Sequence, residues 1–224
     1  LSGMCGVVVA GRVGAPGCAA LCGLADLLGL AGLVGAGQFF AKGVIRESIA
    51  LLKRLSRLPA IAVNISGRSF DEPTLPRYIA EQLSVQGVSP KRLMVELTET
   101  SAVSDLHDAQ RFIEALQQTG CSVCLDDFGA GFSSFAYLKH LRADILKIDG
   151  LFVRDLPNDR DNQVFVKAIV DVARGMRKTT IAEFVENAET LAMLKQFGVD
   201  MVQGYHLNTP CAEPPELKHR TTLT

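Results

Sequence analysis

Charge is what this sequence has least of at its start. Residues 1–41 carry Arg12 and Asp26 as their only charged side chains, yet hold ten of the twenty glycines. Over all 224 residues, 23 basic side chains balance 24 acidic ones, for a net charge of −1. That balance argues against a protein that binds a DNA or RNA duplex through its phosphates, which calls for a basic excess. It argues equally against an acidic disordered tail. Long apolar runs are also missing. Arg12, Pro16, Asp26 and Gln38 interrupt the N-terminal stretch before it reaches the ~18–20 residues of a spanning helix. The opening LSGMCG lacks the basic start of a signal peptide. The six cysteines (Cys5, Cys18, Cys22, Cys121, Cys124 and Cys211) are irregularly spaced in a chain long enough to bury a core without staples. No disulfide framework is expected, and the thiols read as reduced and buried, in a cytoplasmic protein. Cys121 and Cys124 lie three apart on a strand pattern, which turns them to opposite faces and denies them a shared metal. No second Cys or His pair has zinc spacing, and no G-x-G-x-x-G follows a strand.

What is present, from residue 43 onward, is an alternation of two periods. Helical spacing runs over 43–58, 74–86, 105–119, 134–141, 160–175 and 187–197. Between these lie short apolar runs at 59–66, 92–99, 121–127, 143–149, 178–184 and 199–204. Runs of this kind are strands buried on both faces, which means a parallel sheet covered by crossover helices. The spacing predicts an α/β fold: a modified (β/α)8 barrel with an irregular N-terminal part, an open doubly wound sheet being the alternative. Residues 1–210 are expected to form one domain, with 1–43 as its atypical part, and 211–224 to form a tail rich in chain breakers.

Each predicted strand is apolar until its C-terminal end, and there a polar residue appears. In order these are Asn64, Glu96, Asp126 with Asp127, Lys147, Glu183 and Gln203. A single such residue reads as a solvated strand end, but in a barrel all of them converge on one mouth. Four carboxylates with one nearby cation cannot all stay ionised uncompensated. An all-oxygen donor set without His or Cys selects hard divalent cations, Mg2+ or Mn2+. Two such ions form a clamp for phosphodiester hydrolysis, in which Lys147 orients water or neutralises developing charge. Gly129 and Gly131 let the chain bend beside the carboxylates. Glu99 is placed to accept hydrogen bonds from that turn or, alternatively, to sit at a helix start near Ser104. Glu186 falls in the first turn of the next helix.

The segments VNIS (63–66), VELTET (95–100), LDDFGAGFSSFAYL (125–138), ILKIDGLFV (145–153), IAEFVE (181–186) and VQGY (202–205) resemble the EAL domain. The resemblance spans roughly 44–210. It implies a modified (β/α)8 barrel that degrades cyclic di-GMP to linear pGpG with Mg2+ or Mn2+. It also implies metal ligation by Asn64, Glu96, Asp126, Asp127 and Glu183. Lys147 falls on the catalytic lysine, with Glu183 and Glu186 as catalytic positions, Glu99 as the loop anchor, and Gln203 and Gly129 as further site positions. A homodimer and an upstream sensor or cyclase domain are implied partners. Phe184 stands where the family commonly has Gly.

The larger departure lies at the start. The family's Glu-Ala-Leu supplies a metal ligand and is followed by Arg and Trp. Set against CAALCGL (18–24), it puts Ala19, Gly23 and Leu24 at those three positions. Residues 5–10 and 18–22 are expected to form the first two, antiparallel, strands. An alanine cannot ligate a cation, so two readings stay open: a phosphodiesterase of reduced activity, and an inactive domain that binds cyclic di-GMP or docks to a protein. A third, a barrel with purely structural carboxylates, leaves the succession of polar strand ends unexplained.

Overall fold

Successive residues on a strand face opposite ways, and in this chain both faces of most strands are apolar. A computed structural model describes residues 7–12, 21–24, 36–56, 58–70, 72–130 and 135–207. It begins with strands β1 (Val7–Arg12) and β2 (Leu21–Leu24), helix α1 (Ala36–Arg54), β3 (Ala60–Asn64), α2 (Thr74–Gln86) and β4 (Leu93–Thr98). It continues with α3 (Glu99–Ser104), α4 (Leu106–Gln118), β5 (Ser122–Phe128), α5 (Phe135–Leu138), β6 (Ile145–Ile148) and α6 (Gly150–Val153). The last elements are α7 (Arg160–Gly175), β7 (Thr179–Ala182), α8 (Ala188–Phe197) and β8 (Met201–Gln203).

The eight strands close into a barrel in sequence order. β1 runs antiparallel to both its neighbours, β2 and β8, and every other pair is parallel. The pairing of β1 with β8 leaves no free edge, which rules out the open doubly wound sheet. The first two strands are antiparallel as expected, but each sits two to three residues later than 5–10 and 18–22.

Two apolar cores follow from the pleat. Ala62, Met94, Cys124, Ile145, Ile181 and Met201, one from each of β3 to β8, form a cluster of their own and fill the barrel. The intervening residues, such as Val63, Val95, Leu125, Leu146 and Ala182, face outward into a larger core shared with the helices. Ile45, Ile49 and Leu52 of α1 enter that core at helical spacing. So do Phe112, Ile113 and Leu116 of α4, and Val166, Ile169, Val170 and Ala173 of α7. Cys124 lies inside the barrel and Cys121 in the outer core, so the two thiols face opposite ways; both are free and buried.

The helices carry their own start and stop signals. Asp105, Asp159 and Asn187 accept first-turn amides of α4, α7 and α8, and Gly87 and Gly198 close α2 and α8 in the left-handed region. The expected helix at 43–58 instead spans Ala36–Arg54. Its start is hidden in sequence by glycines of low helix propensity. Its end precedes Pro59, which disfavours helical backbone at Leu58. Helices α3 and α6 are too short for their periodicity to be read. No helix among the described residues is long and apolar enough to cross a membrane. Cys5, Cys18, Ala19, Gly131, Cys211 and the tail 211–224 lie outside the described residues.

Leu125 is fully buried in the outer core, whereas Val85 on α2 is 79% exposed. Leu125→Ala is expected to lower the unfolding free energy by about 2–5 kcal/mol, and Val85→Ala by less than about 0.5 kcal/mol. Urea denaturation followed by circular dichroism measures both.

Candidate active site

The barrel interior is apolar up to one level and polar above it. Asn64, Glu96, Asp126, Lys147, Glu183 and Gln203 each lie two residues beyond an inward apolar residue, namely Ala62, Met94, Cys124, Ile145, Ile181 and Met201. A step of two keeps the same face. The pleat therefore delivers all six side chains to the C-terminal mouth of the parallel strands.

Lys147 is the hub. Its Nζ lies 2.7 Å from Asp126 Oδ1, 2.7 Å from Glu183 Oε1 and 3.3 Å from Glu96 Oε1. All four side chains are buried. Two amides close the flanks: Asn64 Nδ2 donates to Glu96 Oε2 at 3.3 Å, and Gln203 Nε2 donates to Glu183 Oε1 at 2.5 Å. Burial works against the Lys147 charge, but the carboxylates of Glu96, Glu183 and Asp126 together hold its ammonium well above the ordinary lysine range. The acids respond in the opposite sense. Burial pushes Glu183 up to about 7, with Lys147 opposing and Asp126 and Glu96 adding to the rise. Burial also raises Glu96, again opposed by Lys147 and reinforced by Asp126. For Asp127 the causes are burial and then the neighbouring charges of Asp126 and Asp149. The site thus holds more negative charge than its lysine balances.

Asp126 and Asp127 are neighbours, and on a regular strand they would face opposite ways. A bulge changes this. Between the pairs Leu125–Leu146 and Phe128–Ile148, three steps on β5 match two on β6, and Asp127 takes φ +55° within the irregularity. Carboxylate oxygens of Asp126, Asp127 and Glu183 consequently lie within 4.8 Å of one another. Three carboxylates converging at this spacing fit a hard divalent cation.

The turn after β5 is held from two sides. Glu99, the buried first residue of α3, accepts the Gly129 amide at 3.0 Å on Oε2. Gly129 has φ +106°, and a Cβ there would lie 2.7 Å from Cε2 of Phe152 and 3.2 Å from Cε1 of Phe165. Those two rings stack with centroids 4.5 Å apart. Glycine is required here both by backbone conformation and by the approach of the rings.

Not every candidate joins the cluster. Glu186 is exposed and makes no hydrogen bond or ion pair with it among the described residues. On β2, Leu21 is level with Ala60 and Leu24 with Val63. The strand therefore stops one residue short of the level of Asn64 and contributes no carboxylate. Asp149 joins the site beside the six strand-end residues. It ends the β6 run, accepts the Leu151 amide at 2.6 Å and raises Asp127, and the second polar residue of KID was its signal. Unsignalled in the sequence is the backbone at Phe184, which holds φ +52° directly after Glu183.

Two outcomes follow from this geometry. Lys147→Ala leaves three buried carboxylates without a counter-charge, and should cost about 3–5 kcal/mol in chelator-treated protein, part of it recovered on adding Mg2+ or Mn2+. Glu99→Ala orphans the Gly129 amide and should cost about 1–3 kcal/mol. Urea unfolding with and without the cation reads the first, and thermal denaturation the second.

Comparison with known proteins agrees with the geometry. The family model described as EAL domain matches residues 20–210. The cyclic di-GMP phosphodiesterase PdeB of Shewanella oneidensis is 38% identical over 172 residues, 75% of this chain and 20% of that protein. The cyclic di-GMP phosphodiesterase PdeF of Escherichia coli is 34% identical over 157 residues, 69% of this chain and 21% of that protein. The chain thus spans about a fifth of the length of these curated relatives. Among solved structures, a phosphodiesterase named PaMucR in complex with cyclic di-GMP matches with TM-score 0.74 and 32% identity, over 81% of this chain and 79% of that one. The FimX EAL domain from Pseudomonas aeruginosa bound to cyclic di-GMP also matches with TM-score 0.74 and 32% identity, over 80% of this chain and 72% of that one. A family match over most of the chain, on a closed barrel with its carboxylates at the strand ends, makes this chain a member of the EAL domain family.

Proposed function

We propose that the mouth of the barrel binds cyclic di-GMP and hydrolyses one of its phosphodiester bonds to give linear pGpG. The observation that carries this reading is the buried group of Glu96, Asp126 and Glu183 around Lys147, with the exposed Asp127 carboxylate converging on Asp126 and Glu183. Relatives that share this part of the chain are named for the same hydrolysis.

Asp126, Asp127 and Glu183 would hold the divalent cation, Mg2+ or Mn2+, with Glu96 and Asn64 completing the donor set on the neighbouring strands. When bound, such cations lower the pKa of water and offset charge on the phosphoryl oxygens. In the hydrolysis a water oxygen bonds to phosphorus, the P–O3′ bond breaks, and the leaving oxygen takes up a proton. The Lys147 ammonium is fixed by three carboxylates and stays charged, so it offers a preorganised cation to the pentacoordinate transition state. Glu183 is held in place at the mouth by the Lys147 ammonium and the Gln203 amide, which orient its carboxylate toward Asp126 and Asp127. Glu99 and Gly129 keep the turn that presents Asp127 in place.

One observation favours a second reading, in which the nucleotide is bound without turnover. β2 lies beside β3, yet its described residues, Leu21, Cys22, Gly23 and Leu24, bring no carboxylate to the site. A cation held by fewer acids binds less tightly.

The test is incubation with cyclic di-GMP and Mn2+, with chromatography of the products. Formation of pGpG is expected, falling at least about 100-fold in Glu96→Ala and Glu183→Ala, as removal of an electrostatic partner in such a site typically does. Binding by calorimetry with no product would select the second reading. Neither binding nor product would reject both.

A further inference from the structure

Phe184 is the residue next to Glu183, and its backbone sits at φ +52°, a conformation that aromatic residues avoid. Holding a side chain there costs free energy, and such strain concentrates at ligand sites. The ring is not hidden in compensation, for Phe184 is 43% exposed. It is nevertheless held firmly. A Cβ on Gly150 would lie 2.6 Å from its Cγ and 2.9 Å from its Cε2, so the ring lies flush on the Gly150 backbone. The guanidinium carbon of Arg154 is 4.2 Å from the ring centroid. Gly150 and Arg154 are four residues apart, on the same side of the α6 turn. The ring therefore leans on α6 while Phe184 as a whole stays 43% exposed.

The surroundings place this ring at the rim of the mouth. Gly150 follows Asp149, whose charge acts on Asp127, and Glu183 carries the contact to Lys147. Tyr205, two residues after Gln203, is 67% exposed, but no ring or cation contact holds it among the described residues. Phe184 is thus a rigid, flat apolar surface backed by a cation, one residue from a carboxylate of the site.

We propose that the exposed face of Phe184, backed by Arg154, is a stacking platform for one purine base of the nucleotide bound at the mouth. Carboxylates and cations deal with the phosphate and leave the base without an apolar partner. A preordered ring supplies one at low entropic cost, and a guanidinium behind it adds cation–π attraction. This assignment rests on the reading of the mouth as a cyclic dinucleotide site.

The test uses the full chain with Phe184→Gly and Phe184→Leu, titrated with cyclic di-GMP by calorimetry in the presence of Ca2+. Glycine suits the positive φ, so Phe184→Gly should fold with an unlowered Tm. Leucine keeps apolar bulk but has no flat face. Loss of one stacked base predicts roughly 5- to 50-fold weaker binding in both variants. Wild-type affinity in Phe184→Gly, or in Phe184→Leu, would overturn the platform while leaving the nucleotide site standing. Weaker binding accompanied by a fallen Tm would overturn it in favour of a structural role. Absence of cyclic di-GMP binding in the unaltered chain would remove the nucleotide reading itself, and the platform with it.

Discussion

One buried ammonium organises the mouth of this barrel. Lys147 reaches carboxylates from β4, β5 and the end of β7, on both sides of its own strand, and so ties four strands of the sheet to one point. Its attraction is strong because all the partners are buried together, and it is incomplete because one positive charge faces several acids. Burial first, and then the repulsion of neighbouring acids, raises the pKa values of Glu96, Asp127 and Glu183. The same imbalance that would destabilise an ordinary core suits the site to a divalent cation.

The scaffold that makes this tolerable is layered. Below the charged level, Met94, Cys124, Ile145 and Met201 plug the barrel with apolar atoms and keep water from reaching Lys147 from beneath. Outside, a continuous apolar core under α1, α2, α4, α7 and α8 fixes the strands laterally. Amides rather than further charges finish the hydrogen bonding, with Asn64 on Glu96 and Gln203 on Glu183. Left-handed backbone sits at the strand ends instead, at Asp127 in the β5 bulge and at Phe184 two residues past β7.

Much of this was legible along the chain. The strands from β3 onward and the helices α2, α4, α7 and α8 were readable because apolar periodicity and capping residues agree there. Asp159 before Arg160–Gly175 and Gly87 after Thr74–Gln86 are examples. The polar strand ends were readable because each interrupts an apolar run. The start of α1 was not, since glycines mask its periodicity, and neither were α3 and α6, whose single turns show no period at all. Within the site, Asp149 closes the apolar run 143–149, and only the fold shows that its charge acts on Asp127. Glu186, a catalytic position by the family resemblance, is exposed and stands apart from the Lys147 cluster. Three residues on from Glu183, it falls in the segment leading into α8, where the alternation of the strand no longer aims side chains.

The sequence by itself determined the fold class, the direction in which the strands run and the identity of the polar residues at their ends, because these depend on local periodicity and on crossover length. It also marked residues 1–41 as poor in charge, and the described residues of β2, Leu21–Leu24, include no acid. The tertiary structure alone decided which acids meet. A bulge in β5 turns Asp127 toward Asp126 and Glu183, barrel closure brings β4 and β7 to the same lysine, and the left-handed seat at Phe184 lays a ring against α6. Each of these is a relation between strands distant in the chain, and no local pattern encodes the register, the bulge or the closure that creates it.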